Sequence, residues 1–88
     1  MISFTVVVLN QFGLHARPAA VLVKTASKFK SSITVKRDGR SFNPKNILGV
    51  MSINAKYGDE LVIEIDGEDE AEATKVIKEL FETKFGEF

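Results

Sequence analysis

The sequence predicts an α+β open-faced β-sandwich: a four-stranded antiparallel sheet covered on one face by three helices, in the order β-α-β-β-α-β-α. Three observations lead there. Four segments carry strand-type residues or period-two alternation: Ile2–Leu9, Ser32–Arg37, Arg40–Asn43 and Glu60–Asp66. Three others have helical character: Ala16–Phe29, Ile47–Ile53 and the stretch that follows Asp69. Each strand has one clear apolar face, so the helices are expected to cover that face alone.

Ile2–Leu9 is rich in Val, Ile and Phe, and Ile2, Phe4, Val6 and Val8 share one face. Val7 and Leu9 predict that its far end is covered on both faces. Asn10–His15 reads as a loop with Gly13 as its flexible point. From Ala16 to Phe29, the residues Ala19, Leu22, Val23, Ala26 and Phe29 recur at three- and four-residue steps. Pro18 stands in the first turn, where its missing N–H costs nothing. Lys28 and Lys30 fall at the predicted C-terminal end and suit the helix dipole.

Ser32–Arg37 places Ile33 and Val35 inward, and Asp38-Gly39 is a two-residue hairpin signal. Arg40–Asn43 is the short return strand, ended by Pro44. Asn46 caps a short helix, Ile47–Ile53. Gly49 lies inside that helix and costs roughly 1 kcal/mol relative to Ala if exposed. Tyr57-Gly58-Asp59 is a turn, and Glu60–Asp66 alternates Leu61, Ile63 and Ile65 against Val62, Glu64 and Asp66. Asp69 opens the last helix with Glu72 as its capping-box partner. The apolar stripe is Ala73, Val76, Ile77, Leu80 and Phe81, extended by Phe85.

The length of 88 residues is that of one domain, spanning 1–88. Twelve Lys+Arg balance twelve Asp+Glu, which argues against a basic nucleic-acid clamp and a polybasic membrane anchor. The chain has no cysteine, which excludes disulfides, Cys-rich zinc sites, iron–sulfur clusters and thiol chemistry. A single histidine argues against a histidine metal cage and against a Ser-His-Asp triad in a deep cleft. The acidic run Glu68–Glu72 lacks EF-hand spacing and reads as helix-start electrostatics, so no metal is expected. No Gly-rich phosphate loop is present. Ile2–Leu9 is too short to cross a membrane and lacks a basic leader, so a cytoplasmic protein without membrane insertion is expected.

The most informative segment is Gly13-Leu14-His15-Ala16-Arg17-Pro18-Ala19. His15 immediately precedes a helix, whose first N–H groups lack intrahelical partners and form an anion site. The positive helix end favours a neutral, nucleophilic imidazole. Arg17 is near enough to fork onto an anion held there. Together these groups could stabilise a phosphoryl group on the ring. A lone histidine at a helix start is more often a surface or capping residue, and an arginine beside it a solvated charge.

The second segment is Ile47-Leu48-Gly49-Val50-Met51. So many apolar residues on a short helix cannot all face the core. Val50 and Ile53 are expected inward, with Ile47, Leu48 and Met51 partly exposed as a docking surface.

These two segments, in this order and spacing, resemble the HPr family, the histidine-containing phosphocarriers of the bacterial sugar phosphotransferase system. The motif G-L-H-A-R-P-A is intact at Gly13–Ala19, and Lys45–Ser52 is similar to the second family signature. The resemblance implies that His15 accepts a phosphoryl group on Nδ1 from phosphorylated enzyme I and passes it to enzyme IIA, without a cofactor. It implies phosphate binding by Ala16, Arg17 and Pro18 at the helix start. It implies partner docking through Phe12, Ala16, Ala20, Lys24, Ile47, Leu48 and Met51.

In many Gram-positive relatives the second helix begins with a serine, phosphorylated by HPr kinase to recruit a catabolite-control repressor. Here that position is Asn46, which has no hydroxyl, so neither partner is expected through it. The alternative is a regulatory or nitrogen-branch paralogue acting mainly through docking. A small-ligand or RNA-binding domain fits poorly, because the predicted sheet face lacks aromatic residues.

Overall fold

The computed structural model describes residues 1–87. Its elements are β1 (Ile2–Val7), α1 (Ala16–Ala26), β2 (Ser32–Arg37), β3 (Arg40–Phe42), α2 (Ile47–Ile53), β4 (Glu60–Asp66) and α3 (Glu70–Glu82). A 3-10 turn, Lys84–Gly86, follows α3. The strands form one antiparallel sheet in the order β1-β4-β2-β3. This is the expected open-faced sandwich.

Alternation decides which face is covered. On β4, Leu61, Ile63 and Ile65 are buried, and Ile63 lies in register between Phe4 of β1 and Val35 of β2. Ala19, Leu22 and Ala26 of α1 and Ala73, Ile77 and Phe81 of α3 complete the same core. Val50 and Ile53 of α2 join it. Removing a side chain such as Leu22 or Ile77 from water contributes roughly 1.5–3 kcal/mol. The opposite face stays open: Val62 is 36% exposed.

Two strand expectations are corrected there. β1 stops at Val7 rather than Leu9. Val7 and Leu9 are 39% and 37% exposed instead of covered, because all three helices lie on the other face. The hairpin is as expected, with Asp38 at φ 51° and Gly39 at φ 76°. The return strand ends at Phe42, one residue short of the expected Asn43.

Helix α1 ends at Ala26, not Phe29. The Lys28 and Phe29 amides bond to the carbonyls of Thr25 and Ala26, three residues back, so the chain tightens into a turn. Phe29 still packs against the core from that turn. Lys28 and Lys30 therefore lie beyond the helix, and Lys24 is the basic residue of its last turn. Lys45 reaches back and donates from Nζ to the Phe29 and Ser31 carbonyls at 2.9 and 2.7 Å.

In α2, Asn46 caps as expected, its side chain accepting from the Leu48 and Gly49 amides at 2.8 and 3.3 Å. Gly49 is a close-approach residue. A Cβ there would stand 2.5 Å from the Asn43 carbonyl oxygen, so only glycine lets the helix lie on the β3–α2 loop.

The capping box at α3 does not form. Asp69 is the N-cap, but its side chain makes no capping bond. Its carboxylate instead accepts from the Lys30 amide at 2.8 Å and from the Ser31 amide at 2.9 Å and hydroxyl. That ties α3 to the α1–β2 loop and holds the carboxyl down at about 2, chiefly through the Ser31 hydroxyl. The reach-back comes from Glu70, which accepts from the Gly67 amide at 3.1 Å. Phe85 is buried as expected but belongs to the 3-10 turn, edge-on to Phe81 with centroids 4.8 Å apart.

Candidate functional site

The β1–α1 loop is fixed on both sides of its turn. The Gly13 amide donates to the Asn10 carbonyl at 2.9 Å, and the Leu14 amide to the Ala55 carbonyl at 3.0 Å. Gly13 has φ +70° and lies directly on the Ala55–Lys56 backbone, leaving no room for a side chain. Leu14 is buried in the core. The chain thus delivers His15 to the N-cap of α1 with its imidazole 38% exposed.

His15 has extended backbone dihedrals, and its carbonyl accepts the Ala19 amide at 3.0 Å. Its side chain makes no capping bond, so the ring is not spent on the helix. The Ala16 and Arg17 amides stand in the first turn, where an α-helix leaves N–H groups free. Pro18 is buried and has no N–H, so it offers no donor. Of the three residues expected at the helix start, Ala16 and Arg17 alone present an amide there. Arg17 is exposed and lines the same open depression as His15.

The structure adds residues the sequence reading missed. Glu87 reaches the ring, with both carboxylate oxygens 3.1 Å from His15 Nε2. Asn10, 1% exposed, donates from Nδ2 to Glu87 Oε1 and to the Lys84 carbonyl, each at 2.8 Å. That bond from Asn10 is the main influence holding the Glu87 carboxyl below its ordinary range, with His15 and Arg17 adding to it. Tyr57, largely exposed, also lines the depression. His15 and Glu87 are 72 positions apart, and no local pattern links them. The buried Asn10 was legible only as a loop residue.

Of the expected docking residues, Phe12 and Ala16 line the depression with His15. Phe12 is 77% exposed and stands edge-on to the imidazole at 6.3 Å between centroids. Ala20 and Lys24 are exposed on α1 outside it. Ile47, Leu48 and Met51 are 42%, 73% and 43% exposed on α2, which packs against α1. The apolar surface on α2 thus exists as expected, but beyond the depression. Among the described residues, no cluster of His, Asp and Glu could hold a metal ion. No helix of theirs is long and apolar enough to cross a membrane.

Comparison with known proteins places these features in a family. The profile described as "PTS HPr component phosphorylation site" matches residues 2–83. The phosphocarrier protein HPr of Xylella fastidiosa is 46% identical over 87 residues, covering 99% of this chain and 98% of that protein. That of Treponema pallidum is 47% identical over 87 residues, covering 99% of each. The crystal structure of HPr from Thermoanaerobacter tengcongensis superposes with a TM-score of 0.95 at 45% identity, covering 100% of this chain and 99% of that one. With that profile, those relatives and the same open-faced sandwich, the chain belongs to the HPr phosphocarrier family.

Proposed function

We propose that this chain accepts a phosphoryl group on His15 Nδ1 from phosphorylated enzyme I and passes it to enzyme IIA in cytoplasmic sugar uptake. The observation that carries this reading is the position of His15, a half-exposed imidazole at the N-cap of α1 that makes no capping bond. The bond from phosphorus to the donor breaks as the bond to Nδ1 forms. The Ala16 and Arg17 amides and the Arg17 guanidinium face the charge on the transferring group. The ring is 38% exposed in an open depression, so two enzymes can reach it in turn and supply the remaining catalytic groups.

Docking by both partners is assigned to Phe12, Ala16, Ala20 and Lys24 with the apolar surface Ile47, Leu48 and Met51. Asn46 spends its side chain on the α2 cap and has no hydroxyl, so control by HPr kinase through this residue is not part of the reading. Incubation with phosphoenolpyruvate and enzyme I tests the proposal. An acid-labile phosphate is expected on the wild type and not on His15→Ala. If His15→Ala supports the same sugar uptake, the chain acts by docking alone and the carrier reading fails.

A further inference from the structure

We propose that Glu87 is the positioning residue of His15: its carboxylate takes the hydrogen bond from Nε2–H, fixes the ring and leaves Nδ1 as the bare, reactive nitrogen. The inference rests on the carrier reading and deepens it, since it assigns what selects the nitrogen.

The chemistry of the pair is restrictive. An ionised carboxylate only accepts hydrogen bonds, so the ring nitrogen 3.1 Å from both its oxygens must carry the proton. A neutral imidazole has one N–H, so Nδ1 then holds the lone pair. When that lone pair bonds to phosphorus, the bond to the donor breaks and the ring becomes an imidazolium. Its proton remains on Nε2 and its new charge faces Glu87. No proton has to move, and transfer to the next acceptor returns the same tautomer. Attack by Nε2 would require displacing the carboxylate and bringing a phosphoryl group against it.

The tail is built to hold this carboxylate. Phe85 is 5% exposed and anchors the turn in the core against Phe81. Lys84 and Phe85 both adopt φ 55°, a left-handed conformation that side-chain-bearing residues seldom take. The buried Asn10 holds the turn in that shape through the Lys84 carbonyl and grips Glu87 Oε1 with the same amide nitrogen. A solvated surface charge would need none of this.

Ring-nitrogen NMR on the 15N-labelled full-length chain, taken where the imidazole is neutral, tests the assignment. The wild type should show one tautomer with a water-protected Nε2–H signal. In Glu87→Ala that signal should be lost to exchange. Uptake from phosphorylated enzyme I should fall about tenfold, the lower end of the loss on removing a partner that orients a ligating histidine. The protein should stay folded, with its far-ultraviolet circular dichroism spectrum unchanged. Glu87→Gln, whose amide oxygen can still accept, should restore the signal and most of the rate. An Nδ1–H tautomer in the wild type would overturn the proposal. So would a Glu87→Ala variant with unchanged spectrum and rate, or a slowed one whose ring spectrum is unchanged. Failure of the wild type to take up phosphate would sink the carrier reading instead, and the ring spectra would still decide the role of Glu87.

Discussion

Replacing Gly49 with alanine is expected to destabilise the fold, against the direction of helix propensity. In an exposed helix the change gains about 1 kcal/mol. Here the new Cβ would stand 2.5 Å from the Asn43 carbonyl oxygen, with the Asn43 carbonyl carbon and amide nitrogen both at 3.4 Å. The obstacle is backbone, and that backbone is committed, since the Asn43 carbonyl accepts the Asn46 amide at 3.2 Å at the mouth of the helix. Overpacking of this kind costs roughly 1–3 kcal/mol, and a rigid obstacle puts it in the upper part of that range. The net loss is about 1–2 kcal/mol after the propensity gain. For a domain of this size the melting temperature should fall by roughly 5–15 °C. Thermal unfolding followed by circular dichroism, with a urea titration to check an unchanged slope, measures it. A Gly49→Ala protein as stable as the wild type, or more so, would show instead that α2 lifts freely off the loop.

Three further outcomes are expected. Arg17→Lys keeps the charge but loses the planar fork, and with it about 1.5 kcal/mol of charge-assisted hydrogen bonding in the transition state. Phosphoryl uptake should slow about tenfold while the urea midpoint stays put, and equal losses in both would contradict the assigned role. Leu48→Glu, at a residue 73% exposed, should leave stability within about 0.5 kcal/mol yet weaken enzyme I binding about tenfold or more by calorimetry. Unchanged affinity would remove α2 from the docking surface. Asp69 is lowered from 3.8 to about 2 in the folded state, so its contribution is fully present above 3.8 and lost as pH falls through about 2. Asp69→Asn should therefore flatten the acid limb of the stability–pH curve in that window, and superimposable acid limbs would disprove the tie to Ser31.

What could be read from the chain was what depends on neighbours in sequence. The alternation of Leu61, Ile63 and Ile65, the Asp38-Gly39 turn and the Asn46 cap all rest on spacings of a few residues, and each stands in the structure as expected. The failures share a different origin. Asp69 has the composition of a capping box, but a better set of donors arrives from Lys30 and Ser31 across the fold. Gly49 looks like a helix weakness until Asn43 is brought against it. Val7 and Leu9 stay exposed because apolar character alone does not decide which face the helices take.

The candidate site divides in the same way. His15, Arg17 and the first turn of α1 are contiguous, and the motif around them carries the family resemblance. Glu87 and its Asn10 clamp come from opposite ends of the chain and meet only because Phe85 seats the last turn in the core. Pro18 shares the motif, but its ring removes the N–H with which a first-turn residue could hold an anion.

As a carrier, the protein would move phosphate on one nitrogen of one residue. Phosphorus NMR of the full chain after treatment with phosphoenolpyruvate and enzyme I tests it most directly. A single acid-labile phosphohistidine signal on His15 Nδ1 is expected, and it should be lost when enzyme IIA is added after the phosphoenolpyruvate and enzyme I have been removed. No phosphorylated species, or a signal from Nε2, would contradict it.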